Sequence, residues 1–158
     1  MNKRASRGAA LAELSILLPL MIMLVFGITE LGRALYQRNI LGKNADLAAR
    51  YMARSWAAVT AECNQDSNWP TAVATARQLA VYGNEGGSGD PLLPLLTPSD
   101  FDIQVAPVVI PASGETACVI TVSGSVAFQG VFGEYMVPFT RIEPVTLSAA
   151  REVRYLGE

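Results

Sequence analysis

The stretch MNKRASRGAALAELSILLPLMIMLVFGITELGR, residues 1–33, decides how the rest of the chain is read. Its first eight residues carry Lys3, Arg4 and Arg7 and no acid. From Ala9 to Thr29 the run is apolar and holds a single charge, Glu13. At about 1.5 Å of rise per residue, a helix of that length crosses a bilayer core of roughly 30 Å. The cations ahead of it predict a cytoplasmic N-terminus, a transmembrane helix over residues 9–29 and an exported body over residues 30–158.

Glu13 is the anomaly in that helix. A carboxylate costs about 2.5–3.5 kcal/mol at the centre of a membrane helix, less near an end, and needs a partner in either place. A cut after Gly8 would create an amine on Ala9, about one helical turn before Glu13. That amine can neutralise the carboxylate within one helix or between neighbouring helices. Such a helix is suited to side-by-side assembly.

A glycine, a glutamate five positions later and a long apolar helix resemble the processing site of type IV prepilins and pseudopilins. Leu18-Pro19-Leu20 and Phe26-Gly27-Ile28-Thr29-Glu30-Leu31-Gly32-Arg33-Ala34 look like the TadE-like branch of the tight-adherence (Tad, or Flp) pilus system. The two-cysteine body and the basic C-terminal stretch Arg151-Glu152-Val153-Arg154-Tyr155 are similar to that branch as well. Ala9 stands where type II secretion pseudopilins usually carry Phe, which argues against that relative.

The resemblance implies a minor pseudopilin whose residues 1–8 form a leader removed by a prepilin peptidase. Gly8 would supply the scissile carbonyl, Ala9 the new amine, and Glu13 the partner of an amine. It implies a single-pass protein of the bacterial inner membrane with its C-terminal domain in the periplasm. The implied partners are the prepilin peptidase, other minor pseudopilins, the major Flp pilin, the inner-membrane assembly platform and the lipid bilayer. The implied role is to initiate or cap the fibre or to occupy its tip, in the setting of adhesion and biofilm formation, with no cofactor. Two other readings of the N-terminus stay open. One is a conventional secretory signal, although no small-x-small cleavage pattern follows Phe26. The other is an uncleaved anchor holding a periplasmic ligand-binding module.

Composition narrows the chemistry. The formal net charge of the 158 residues is −2; loss of Lys3, Arg4 and Arg7 with the leader would move it to −5. A mildly acidic body without a basic patch does not suggest nucleic-acid binding. There is no histidine, which removes the usual base of a nucleophilic triad and the commonest transition-metal ligand. No enzymatic reaction and no metal site are expected. Glu85, Asp90, Asp100 and Asp102 lack EF-hand spacing and read as solvated turn acids rather than as a calcium site. Gly83–Gly89 has neither a Walker lysine nor a preceding strand, so it is not a phosphate loop. Cys63 and Cys118 both fall in the exported part. In an oxidising periplasm they can pair as a staple, which the chain-entropy model values at about 4 kcal/mol.

The body predicts an α+β fold: a long N-terminal helix packed on a small C-terminal antiparallel sheet, pilin-like in layout. Residues 30–61 continue the membrane helix, with Leu41, Ala45, Ala48, Met52 and Val59 forming an apolar stripe. Pro19 is expected to bend the helix within the bilayer. Glu30 and Arg33, three apart, read as a local ion pair and as candidate interface residues. A second helix is expected over residues 71–82, with Asn68 as its cap, Pro70 in its first turn and Gly83-Asn84 at its end. Residues 83–100 read as a loop in which Leu92, Leu93, Leu95 and Leu96 either pack on the domain or meet a partner. Residues 101–156 read as three or four strands, with an irregularity at Ala149-Ala150 and with Pro138 and Pro144 in loops or at strand ends.

Overall fold

The structure, a computed structural model, describes residues 3–112, 114–131, 133 and 145–157, with side chains from residue 11 onward. Pro138 and Pro144 lie outside the described residues. The element order is α1 (Lys3–Arg54), α2 (Trp69–Tyr82), β1 (Phe101–Val109), β2 (Thr116–Ala127) and β3 (Thr146–Arg154). This is the expected α+β class, one long N-terminal helix with a second helix and a three-stranded antiparallel sheet. The chain divides into two compact units, Met1–Leu35 with Phe128–Val145 and Tyr36–Ala127 with Thr146–Glu158.

In the first unit α1 continues through Pro19. From Leu11 onward the helix is long and apolar enough to cross a membrane, with a mean hydropathy of 2.4 over its most apolar window. Leu14, Ile16, Leu20, Met21 and Leu24 are exposed along it. Ser15 and Thr29 turn their hydroxyls back onto the carbonyls of Ala12 and Val25, at 2.8 and 2.9 Å. A helix in hydrocarbon has no water to offer these groups, and back-bonding satisfies them internally. Glu30, Ala34 and Phe128 are buried within this unit.

In the second unit the remaining part of α1 buries Leu41, Ala45, Ala48 and Met52 completely, at the three- and four-residue steps that place them on one helical face. Burial of a leucine or methionine of this kind contributes about 1.5–3 kcal/mol. On the outer face Arg50 Nε pairs with Asp46 one turn earlier at 2.9 Å, an exposed contact worth a few tenths of a kcal/mol.

The helix ends at Arg54, short of the expected Ala61. Sequence alone favoured continuation, because residues 53–61 contain neither glycine nor proline. Side-chain bonds and cross-links decide otherwise. Ser55 Oγ donates to the Tyr51 carbonyl at 3.0 Å while its amide turns to the Met52 carbonyl at 3.2 Å. Ala57 and Cys63 adopt positive φ, 50° and 62°. Val59 therefore leaves the helical stripe and bridges to Gln65 in a tight excursion.

α2 starts at Trp69, slightly earlier than expected, and ends at Tyr82; the Gly83 amide makes the last helical bond, to the Leu79 carbonyl at 2.9 Å, and its φ of 73° turns the chain out of the helix. Asn68 occupies the capping position without capping: its backbone is helical and its Nδ2 donates instead to the Trp56 carbonyl at 2.8 Å. The asparagine thus ties the excursion after α1 to the start of α2. In the loop that follows, Leu93 and Leu96 are buried whereas Leu92 and Leu95 are exposed, so the leucine cluster divides between packing and solvent. A single 3-10 turn at Pro98–Asp100 then leads into β1.

The sheet is a meander in the order β1-β2-β3. Its register runs unbroken from Phe101↔Gly124 to Val109↔Thr116, and from Val119↔Arg154 to Ala127↔Thr146. The irregularity expected at Ala149-Ala150 is absent, because these two residues pair in step with Gly124 and Ser123. Gly124 has a packing reason: a Cβ there would come 2.6 Å from the ring of the fully buried Phe101.

Candidate functional site

The residues singled out from sequence fall in three places: the start of α1, the segment around Glu30, and the disulfide. Gly8 and Ala9 lie in the helical backbone of α1. Glu13 is exposed one turn further on, and among the described residues it has no hydrogen-bond or ionic partner.

Glu30 behaves differently from its expectation. Only 1% of it is exposed, and its Oε1 accepts a 2.7 Å hydrogen bond from the Val131 amide. Among the described residues there is no ion pair with Arg33, which stays exposed. The other oxygen, Oε2, is buried and has no partner among the described residues. Gly130 sits so close that an added Cβ would collide with the Glu30 carboxylate and meet the Phe128 ring. The amide of Gly130 donates to the Gly133 carbonyl at 2.7 Å, and Gly133 has a φ of 80°. The two glycines and the acid form one clasp: the loop folds tightly enough to present the Val131 amide, and only glycine at position 130 leaves room for the carboxylate. Sequence reasoning missed this contact because its ends are 101 residues apart. The closely spaced Gly130 and Gly133 were the only local sign of a tight approach.

Cys63 and Cys118 are joined, with Cα atoms 5.1 Å apart. The bridge ties the excursion after α1 to β2, and Tyr155 reinforces the same region. Its hydroxyl donates to the Ser55 carbonyl at 2.7 Å and accepts from the Ala58 amide at 3.3 Å. Two of the four acids considered for calcium, Asp100 and Asp102, are engaged locally. Asp100 Oδ2 accepts from the Thr97 amide and hydroxyl at 2.7 and 2.8 Å, and Asp102 accepts from Gln104 at 2.6 Å. Among the described residues no three Asp, Glu, Cys or His side chains are grouped to hold a metal ion.

The fold and these sites define a class: a small α+β body carried on a helix apolar enough to enter a membrane. Residues 8–50, under a third of the chain, match the family model described as TadE-like protein, so the N-terminal segment is similar to TadE-like proteins of Tad pilus systems. That family is one of Tad pilus-associated components, and the match covers the apolar helix and most of the rest of α1. No curated protein and no solved structure matches the chain.

Proposed function

We propose that the chain is a minor pseudopilin of a Tad pilus, cut after Gly8 by a prepilin peptidase and retained in the inner membrane by its N-terminal helix. The residues from 30 onward then lie in the periplasm, and the mature protein helps to initiate or cap the fibre or occupies its tip. It carries no reaction of its own; its partners are the peptidase, other minor pseudopilins, the major pilin and the assembly platform.

The observation that supports this reading is the placement of Glu13. An acid on an apolar helix, exposed and without a partner among the described residues, lies five positions after the glycine at which the family match begins. An N-terminal amine on Ala9, in the same chain or a neighbouring one, answers that acid's need for a counter-charge. The test is Glu13→Leu. Membrane insertion should be normal, since the change removes a charge from hydrocarbon, while recovery in pilus-associated complexes should fall severalfold. Undiminished recovery would contradict the role given to Glu13.

A further inference from the structure

β3 lies at one edge of the sheet. In an antiparallel pair only alternate residues of an edge strand bond to the neighbour, and the others direct N–H and C=O outward. The Tyr155 amide donates to the Cys118 carbonyl at 2.8 Å, and the register is unbroken back to Thr146. The odd-numbered residues of β3 therefore face β2, and Thr146, Ser148, Ala150, Glu152 and Arg154 point their main-chain groups outward. Leu156 has the same parity, and its amide donates to the Ala53 carbonyl of α1 at 2.8 Å. Further back along β3 the strand and helix bound a cleft of about 510 Å³, lined by Arg38, Asn39 and Gly42 on one side and by Ser148–Arg151 on the other. Arg151 Nη1 donates to the outward carbonyl of Ala150 at 3.1 Å. A Cβ at Gly42 would lie 3.4 Å from Arg151 Nη2, so the guanidinium rests against the helix at its glycine. The lining residues include two arginines, Arg38 and Arg151, and no acid.

The opposite edge is treated differently. The Ile110 amide donates to the Glu115 carbonyl at 2.8 Å, so the odd residues of β1 point outward. Pro107 falls among them and supplies no donor, and the outward carbonyl of Phe101 is taken by Arg77 Nε at 3.0 Å. A proline at an outward position blunts an edge against strand addition. β3 has no proline and no such blocking contact along Thr146–Ala149 among the described residues.

We propose that the β3 edge receives an acidic, extended segment of a partner chain, added as a further strand in the cleft with a carboxylate between Arg38 and Arg151. Main-chain bonds to the amide and carbonyl of Ser148 and to the amide of Ala150, whose carbonyl Arg151 already holds, secure the strand, as in strand addition to an edge. The guanidinium pair selects acidic side chains through charge-assisted hydrogen bonds. Alternating donors and acceptors match a peptide main chain, whereas a lone anion would use only the donors. The proposal is independent of the pilus reading.

The test uses the full chain in detergent micelles and two blocked peptides, acetyl-TEVEVEVT-amide and its lysine counterpart acetyl-TKVKVKVT-amide, with inorganic phosphate as a third probe. Amide hydrogen exchange is followed at Ser148 and Ala150. The acidic peptide should slow both at least tenfold, and the lysine peptide and phosphate should not. Arg38→Glu with Arg151→Glu should reverse the preference between the peptides. Ser148→Pro places a proline at an outward edge position, as Pro107 already is on β1. It should keep the far-UV signal and the disulfide yet lose the slowing at Ala150. No slowing by either peptide, equal slowing by both, or slowing by phosphate alone would each overturn the proposal.

Discussion

The Glu30 carboxylate holds the Val131 amide at 2.7 Å across 101 residues of sequence, and Gly130 is the residue that makes the approach sterically possible. A buried acid with one oxygen satisfied and the other without a partner among the described residues carries a desolvation cost that the hydrogen bond it does make offsets. Glu30→Leu should leave the Val131 amide without its acceptor and destabilise the clasp by about 1–3 kcal/mol. Glu30→Gln keeps an amide oxygen to accept the same bond. Exchange of the Val131 amide should therefore be fast in the leucine variant and slow in the glutamine variant; equal exchange in the two would contradict the clasp.

Gly130→Ala tests the same contact from the loop side. The added methyl meets a carboxylate and an aromatic ring, both buried, and over-packing at such sites costs about 1–3 kcal/mol. The variant should show the fast Val131 exchange of Glu30→Leu. Wild-type exchange would mean that the loop yields freely at that point.

Gly124→Ala places a methyl 2.6 Å from the Phe101 ring, within β2 and against a side chain with no exposed surface. A core at crystal-like density has little room to accommodate it. A loss of about 1–3 kcal/mol should appear as a lower denaturant midpoint of the body. An unchanged midpoint would show that the ring has an alternative rotamer.

Cys63→Ser with Cys118→Ser removes the staple between the excursion after α1 and β2. Model-dependent estimates for a loop of this length give a loss of about 2–5 kcal/mol. Tyr155→Phe removes two hydrogen bonds to the same excursion and should cost about 1–2 kcal/mol. Because the two devices hold one segment, their effects should not add. The measurement is a double-mutant cycle in urea, and strict additivity would show that the excursion is held in two independent pieces.

The parts of the fold that were legible in the sequence are those governed by local rules. The apolar run, the stripe at Leu41, Ala45, Ala48 and Met52, the glycine at the end of α2 and the alternation at Phe101 and Ile103 all follow from periodicity and turn chemistry. What escaped depends on contacts distant in sequence. The end of α1 is set by Ser55, by a disulfide and by a tyrosine near the C-terminus, none of which disturbs the local helical pattern. Asn68 had the residue type of a cap, yet a carbonyl twelve residues away claims its side chain. Glu30 and Arg33 had the spacing of a helical pair, but a loop amide from the far end of the chain took the carboxylate. Gly8, Ala9 and Glu13 were singled out by spacing alone, and the processing proposed for them rests on that signal together with the family match.

The central claim is that this chain is processed between Gly8 and Ala9 and assembled as a pseudopilin. It is tested most directly by the intact mass and N-terminal sequence of the protein recovered from membranes with and without an active prepilin peptidase. The account predicts a chain beginning Ala-Ala-Leu-Ala-Glu-Leu only when the peptidase is active. An intact start at Met1, or a cut beyond Phe26 that ignores the peptidase, would contradict it.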